Sequence, residues 1–144
     1  MVIVDANVLL YAVNADARQH EIAREWLDDA LSGAEGVGLP WVVLLAFLRI
    51  ATNPRATPQP LSIEDATAQV DAWLSAPSAI TVAPTSRHAA VLGGLLQVSG
   101  AAGNLVTDAH LAALAIEHGA AIISYDRDFA RFEGVRHRLP DDVN

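Results

Sequence analysis

The amino-acid sequence predicts an α/β fold, with a central parallel sheet of four to five strands and helices on both faces. Short β-branched segments without polar alternation are typical of strands buried on both faces, and residues 2–4 and 121–123 have this character. Segments with helical spacing alternate with such strands, which predicts parallel strands joined by right-handed crossovers. The length of 144 residues indicates a single domain, residues 1–144.

After the first strand, the first half of the chain predicts two helices on either side of a second strand. Apolar residues recur with helical spacing between residues 17 and 31. A short strand is predicted at 36–39. The apolar run at 41–50 is too long for a typical strand, so we predict a buried helix that begins after Pro40. Residues 53–60 contain three prolines and predict a loop.

The second half of the chain continues the alternation of helices and strands. Ser62 and Asp65 have the spacing of a helix N-terminal capping motif. The elements predicted from there are a helix at 62–74, a strand at 79–82, a helix from 85 or 86 to 99, a helix ending near 118, a strand leading into Asp126, and an edge strand at 135–139.

Composition excludes several classes of protein. The chain has no cysteine, so disulfides and thiolate metal sites are excluded. Its five histidines lack compact metal-ligand spacing. No apolar run is long enough to span a bilayer, and no basic stretch precedes the first apolar segment. We therefore expect a cytoplasmic protein with no membrane partner.

Four aspartates, Asp5, Asp108, Asp126 and Asp128, lie where an apolar segment ends or a helix begins. Taken singly, each is explained as a turn, cap or first-turn residue. Ligands of open parallel sheets collect beyond the carboxyl ends of the strands, where such acids would meet. Clustered carboxylates repel each other unless a cation neutralises them. Hard divalent cations bind such oxygen ligands, so the joint pattern predicts a metal site.

The net charge of −8 argues at first against a nucleic-acid partner, but the position of the charges matters. A bound cation would reverse the local potential at the acidic site. All nine cationic residues are arginines, and Arg127 and Arg131 lie beside the acidic pair, where a guanidinium can bind a phosphate through two hydrogen bonds. The alternative for these arginines is a solvated surface that pairs with nearby acids.

Three motifs in order resemble those of the PIN-domain ribonucleases, and in particular the VapC toxins of bacterial toxin–antitoxin pairs. They are Val-Asp-Ala-Asn at 4–7, Val-Thr-Asp-Ala-His-Leu-Ala-Ala-Leu-Ala at 106–115, and Ser-Tyr-Asp-Arg-Asp-Phe at 124–129. The resemblance covers essentially the whole chain. It implies an endoribonuclease dependent on Mg²⁺ or Mn²⁺ that cleaves RNA and is neutralised by a VapB-like antitoxin. It also implies a homodimer and a toxin–antitoxin hetero-oligomer.

The resemblance assigns roles to the four acids, all of which are expected to be catalytic: Asp5, Asp108 and Asp126 as metal ligands, and Asp128 as a supporting acid. Asn7 and Thr107 lie beside these acids and are expected to orient them. For hydrolysis, Asp128 could accept a proton or orient the attacking water.

One departure from the family is Ala46. PIN domains usually carry a glutamate on the helix that matches residues 41–50, and no acid occurs between Gly36 and Ile63. An alternative is therefore a catalytically weak or inactive PIN-like module that only engages an antitoxin or RNA. A phosphatase of the haloacid-dehalogenase type is disfavoured, because it would carry a second Asp where the chain has Asn7 and would need a lysine.

Three tryptophans, Trp26, Trp41 and Trp73, are predicted to lie in the core. The alternative is that they border an apolar groove for an amphipathic antitoxin helix. The family resemblance favours a groove among the first four helices.

Overall fold

The computed structural model describes residues 1–142, which form an α/β domain with a five-stranded parallel sheet and six α-helices. The predicted domain extends to residue 144, and its last two positions lie outside the described residues. The strands are β1 (Val2–Val4), β2 (Val37–Gly38), β3 (Ala79–Ile80), β4 (Ala121–Ile123) and β5 (His137–Arg138). The helices are α1 (Ala6–Val13), α2 (His20–Ser32), α3 (Trp41–Ala51), α4 (Ile63–Leu74), α5 (His88–Ser99) and α6 (Val106–Glu117).

The strands lie in the order β3-β2-β1-β4-β5, and every neighbouring pair is parallel. The chain moves outward from β1 through β2 to β3 and then returns to β4, on the other side of β1. Right-handed crossovers therefore place α1 to α4 on one face of the sheet and α5 and α6 on the other. The strand order reverses between β1 and β4, and ligands of open α/β sheets bind at such a switch point.

The core is built on the two central strands. Every residue of β1 and β4 is buried, and Ile3 and Ile122 have no exposed surface. In β2, Gly38 allows close packing, because a Cβ atom there would lie 2.6 Å from Cγ2 of Val82 and 2.9 Å from Cγ1 of Ile3. A larger residue would push the flanking side chains apart.

The tryptophan prediction is only partly correct. Trp73 is buried and its ring makes an edge contact with Phe47, with centroids 4.8 Å apart. Trp26 is partly buried against the core. Trp41 is half exposed, at 50%, and occupies the first position of α3.

One observed helix was not predicted, and some element boundaries differ from those expected. Helix α1 was not predicted, since its eight residues follow β1 with only Asp5 between them and extend the apolar run of the strand. Helix α6 begins at Val106, two residues before Asp108. The predicted edge strand is present but short, at His137–Arg138. Within residues 1–142, every helix is too short or too polar to cross a membrane.

Candidate metal centre

The predicted acids lie along the carboxyl edge of the sheet, beside the switch point. Asp5 follows β1, and its backbone N–H donates to the carbonyl of Ile123 at the end of β4, at 3.0 Å. Asp126 comes three residues after Ile123. Helix α6 runs back toward the start of β4, so its first turn, which carries Asp108, returns to the same edge.

Hydrogen bonds hold both carboxylate oxygens of Asp5. Its Oδ1 accepts from the backbone N–H of Ala6 at 2.7 Å, which caps the N-terminus of α1. Its Oδ2 accepts from the hydroxyl of Ser124 at 2.7 Å and from Nδ2 of Asn7 at 3.3 Å. These bonds come from both central strand ends and fix the orientation of the carboxylate.

Ser124 connects the residues of this edge. Its side chain is fully buried and accepts hydrogen bonds from Nδ2 of Asn7 at 3.0 Å and from the backbone N–H of Asp126 at 2.9 Å. Asn7 in turn accepts from the backbone N–H of Tyr125 at 3.1 Å, and Nε2 of His137 donates to the Ser124 carbonyl at 2.9 Å. The predicted residue Asn7 is therefore in contact with Asp5. Ser124 makes contact with both residues, and the sequence had indicated only a capping or strand-end hydrogen bond for its hydroxyl.

The charges of the four acids interact. The pKa of Asp108 is raised to about 6, first by burial and then by the negative charges of Asp5, Asp126 and Asp128. The pKa of Asp5 is also raised, mainly by burial, although the hydrogen bonds from Ser124 and Ala6 oppose this effect. The positive charge of Arg131 lowers the pKa of Asp108 and so opposes this rise. The centre therefore carries an excess of negative charge.

The donor set fits a hard divalent cation in its chemistry and charge. Carboxylate oxygens are the ligands that such cations prefer, and Mg²⁺ keeps several waters as well. Within residues 1–142, no three histidine, aspartate or glutamate side chains are already arranged around one point as metal ligands. The charges of the four acids influence one another, but their carboxylates do not surround one point, as expected for carboxylates that repel each other.

The remaining predicted residues are exposed and lie at the rim of the metal centre, which is the solvent-facing side of the acidic group. Asp128 is exposed, and its backbone N–H donates to Oδ1 of Asp126 at 2.8 Å, at the start of a 3-10 helix (Arg127–Arg131). Nη2 of Arg131 lies 3.4 Å from Oδ1 of Asp128, and Arg127 is exposed. Thr107 is also exposed, and its side chain makes no hydrogen bond to Asp5 or Asp126. Thr107 is therefore peripheral to the network that holds Asp5.

A second polar network joins α5 to α6 and was not found from the sequence. Glu117 has a fully buried side chain that accepts from Nδ1 of His88 at 2.5 Å and from the N–H and hydroxyl of Thr85 at 3.0 and 2.5 Å. Burial alone would raise the pKa of Glu117, but the hydrogen bonds from Thr85 and His88 outweigh it and lower the pKa. Nε2 of His88 is in turn hydrogen-bonded to Nδ1 of His110, at 2.9 Å.

This Glu117–His88–His110 network is separate from the metal centre. The pKa of His110 is lowered by burial and by His88, and raised by Glu117, and among residues 1–142 no hydrogen bond joins this network to the four aspartates. His110 and Glu117 are seven residues apart and therefore share one face of α6. This spacing is the part of the network that the sequence could have indicated. Their partner His88 lies on another helix, so the sequence alone could not connect the three.

The chain matches the family model of the PIN domain over residues 2–135. It is 59% identical to Ribonuclease VapC37 of Mycobacterium tuberculosis strain H37Rv over 140 residues, which is 97% of each chain. It is 43% identical to Ribonuclease VapC33 of the same strain over 140 residues, covering 97% of this chain and 98% of that protein.

Solved structures share the fold at low sequence identity. VapBC2 from Rickettsia felis, bound to a DNA fragment from its promoter, superposes with a TM-score of 0.70 at 18% identity and covers 96% of this chain and 98% of that chain. Mycobacterium tuberculosis VapC20, described as a sarcin-ricin loop cleaving toxin, gives a TM-score of 0.66 at 20% identity and covers 94% of this chain and 99% of that chain.

Proposed function

The chain belongs to the VapC ribonucleases of the PIN-domain family, and on that premise we propose that it is an Mg²⁺- or Mn²⁺-dependent endoribonuclease acting as the toxin of a VapBC-type pair. The observation that carries the proposal is the mutual interaction of Asp5, Asp108, Asp126 and Asp128 at the β1/β4 switch point. Clustered carboxylates that are partly buried repel each other, and a bound cation relieves this repulsion.

Three acids are proposed to hold the cation: Asp5, Asp108 and Asp126. Asp5 is the most firmly oriented of them, since Ser124, Asn7 and Ala6 hold both of its oxygens. When bound, a divalent cation lowers the pKa of a coordinated water and offsets the charge that develops on the phosphate. The protein then needs no side-chain nucleophile to hydrolyse a phosphodiester bond.

The rim residues are proposed to act on the substrate. Asp128 is exposed beside the ligands, and its carboxylate can accept a proton from the attacking water. Arg127 and Arg131 are exposed on the same 3-10 helix, where their guanidinium groups can bind RNA phosphates. These arginines supply positive charge beside the acids of a chain whose net charge is −8.

The proposed partners are a VapB-like antitoxin and a second copy of the chain, in a hetero-oligomer. A groove of about 370 Å³ between α1 and the loop that leads into α4 supports the antitoxin proposal. It is lined by apolar side chains such as Leu10, Ile50 and Leu61, which suit an amphipathic helix. Because its RNA substrate and antitoxin would be cytoplasmic, we propose that the protein acts in the cytoplasm.

A second candidate function is a PIN-like module that binds antitoxin or RNA without cleavage. Two observations favour it: helix α3 offers Ala46 where the family usually has a glutamate, and the described acids do not converge as a ready-made metal site. Under this proposal, the apolar groove would still bind its partner and RNA would remain intact.

Cleavage of a labelled RNA by the purified chain, with Mg²⁺, with Mn²⁺ or with a chelator, distinguishes the two functions. We expect cleavage only with a metal, and a loss on the order of a hundredfold or more in Asp5→Asn. Asp71→Asn is the matched control, because it removes the same charge from an exposed position on α4. Metal-dependent cleavage that survives Asp5→Asn would refute the proposed centre, and RNA that stays intact at every metal concentration would favour the binding module.

A further inference from the structure

Backbone pairing between β4 and β5 ends before it reaches the carbonyl of Ser124. The N–H of Ile122 donates to the carbonyl of Arg136 at 2.8 Å, and the N–H of Ser124 donates to that of Arg138 at 3.1 Å. A parallel ladder with this register would next take the N–H of residue 140 as the donor to Ser124. That residue is Pro140, which has no N–H. Ser124 is fully buried, so its carbonyl needs another donor.

The side chain of His137 supplies this donor. Its Nε2 lies 2.9 Å from the carbonyl oxygen of Ser124. A carbonyl oxygen only accepts, so Nε2 of His137 carries a proton in this contact, whatever the charge of the ring. The imidazole is partly buried and packs against Phe129, with ring centroids 5.9 Å apart. These contacts attach the ring both to the end of β4 and to the 3-10 helix at the rim of the metal centre.

The peptide group that accepts from His137 also donates to Asn7. The N–H of this peptide belongs to Tyr125 and donates to Oδ1 of Asn7 at 3.1 Å. Because a backbone N–H can only donate, this bond fixes the side-chain amide of Asn7 with its Nδ2 on the opposite side. Nδ2 then donates to Oδ2 of Asp5 at 3.3 Å and to the hydroxyl of Ser124 at 3.0 Å. The planar peptide therefore couples the imidazole of His137 to the amide of Asn7.

These contacts form a continuous series of hydrogen bonds that begins at His137 and ends at the carboxylate of Asp5. In every bond of the series the donor lies on the side of His137 and the acceptor on the side of Asp5. Hydrogen bonds aligned in this way polarise and strengthen one another. Burial has the largest effect on the pKa of Asp5 and raises it, whereas positive charge on His137 lowers it, so the ring lies within electrostatic range of this carboxylate.

We propose that His137 is a positioning residue, which fixes the carboxylate of Asp5 through the Ser124–Tyr125 peptide and the amide of Asn7. The inference rests on the proposed function in taking Asp5 as a ligand of the divalent cation. Replacing a group that orients a metal ligand typically weakens metal binding by about 10–100-fold. His137 acts through intermediate groups, so we expect an effect at the lower end of this range.

Nuclear magnetic resonance of the metal-free protein, with a chelator present, tests the hydrogen bonds without any metal. In the wild type we expect a proton on Nε2 of His137 and slow hydrogen exchange of the Tyr125 amide. His137→Phe keeps a flat ring but removes the donor, so the Tyr125 amide should lose protection. His137→Gln retains a side-chain N–H and should preserve it. His137→Leu also lacks a donor and replaces His137→Phe if circular dichroism shows that the latter is unfolded.

Calorimetric titration of the same samples with Mn²⁺ measures the consequence for metal binding. We expect His137→Phe to bind Mn²⁺ about tenfold more weakly than the wild type, and His137→Gln to bind it nearly as tightly as the wild type. His118→Phe is the matched control, because Nε2 of His118 lies 2.8 Å from the carbonyl of Ala83, a contact outside the hydrogen bonds that hold Asp5. His118→Phe should leave the affinity for Mn²⁺ unchanged even if it lowers Tm.

Weaker Mn²⁺ binding in His137→Phe, with near wild-type binding in His137→Gln and His118→Phe, supports the proposal. Equal weakening in His137→Phe and His137→Gln overturns it, because the donated hydrogen bond is then not what matters. An unprotonated Nε2 in the wild type, or a Tyr125 amide that stays equally protected in His137→Phe, also overturns it. A wild-type chain that binds no Mn²⁺ contradicts the proposed function instead, and the exchange of the Tyr125 amide in the metal-free variants then decides the positioning of Asp5 by itself.

Discussion

Replacing Asp108 with asparagine should stabilise the chain in the absence of metal. The pKa of Asp108 is raised from 3.8 to about 6 by burial and by the charges of Asp5, Asp126 and Asp128. The folded state therefore binds a proton at Asp108 more tightly than the unfolded state does. The stability associated with this proton is fully present below pH 3.8 and is lost as the pH rises through about 6.

The expected change in stability follows from the raised pKa of Asp108. A change of about 2 pKa units corresponds to at most about 3 kcal/mol, at 1.36 kcal/mol per unit. Asp108 is only partly buried, so solvent screening reduces this figure and we expect about 1 kcal/mol at pH 7.5. For a domain of this size, that is a rise of about 3 °C in Tm. Asparagine keeps the shape of the side chain and removes the repulsion.

Thermal unfolding by circular dichroism at pH 4 and pH 7.5, with a chelator present, measures this difference. We expect Asp108→Asn to raise Tm at pH 7.5 and to have little effect at pH 4, where Asp108 of the folded wild type is already protonated. Addition of Mn²⁺ should then stabilise the wild type more than the variant. The exposed-site control Asp71→Asn should match the wild type in each condition. An Asp108→Asn chain that is less stable than the wild type at pH 7.5 would refute the reasoning.

Three further predictions test other contacts, the first by calorimetry and the other two by thermal unfolding. Ser124→Ala removes the hydroxyl that holds Asp5, and we expect metal affinity measured by calorimetry to fall by about tenfold or more; an unchanged affinity would contradict this role. His88→Ala leaves Oε2 of the buried Glu117 carboxylate without a donor and should lower the free energy of unfolding by about 2 kcal/mol, whereas Glu117→Gln should lower it less, because it removes the buried charge itself; equal losses would argue against a charged Glu117. Gly38→Ala should destabilise the chain by about 1–3 kcal/mol through contact with Val82 and Ile3, while Gly93→Ala, where a Cβ meets nothing within 4 Å, should have no such cost.

The fold class and the location of the acids could be predicted because both depend on local patterns. Buried parallel strands appear as short β-branched runs, and residues 2–4 and 121–123 are the two central strands of the observed sheet. An acid that directly follows such a strand lies at the carboxyl edge in any parallel arrangement. The positions of Asp5 and Asp126 at that edge therefore follow from the sequence. Whether they bind a metal stays a prediction.

The contacts between distant segments could not be predicted. The role of Ser124 depends on the register of β4 against β1, which places its hydroxyl between Asp5 and Asn7. The Glu117–His88–His110 network depends on how α5 packs against α6. Trp41 was assigned to the core because tryptophan is usually buried, but the orientation of α3 leaves it half exposed.

The most direct test of the proposed metal centre is the anomalous diffraction of a crystal soaked in Mn²⁺. We predict an anomalous peak within coordinating distance of carboxylate oxygens of Asp5, Asp108 and Asp126, with waters completing the shell. The same map would show what occupies the space beside Ala46. A peak at a different part of the chain, or none while the three carboxylates remain apart, would contradict the account.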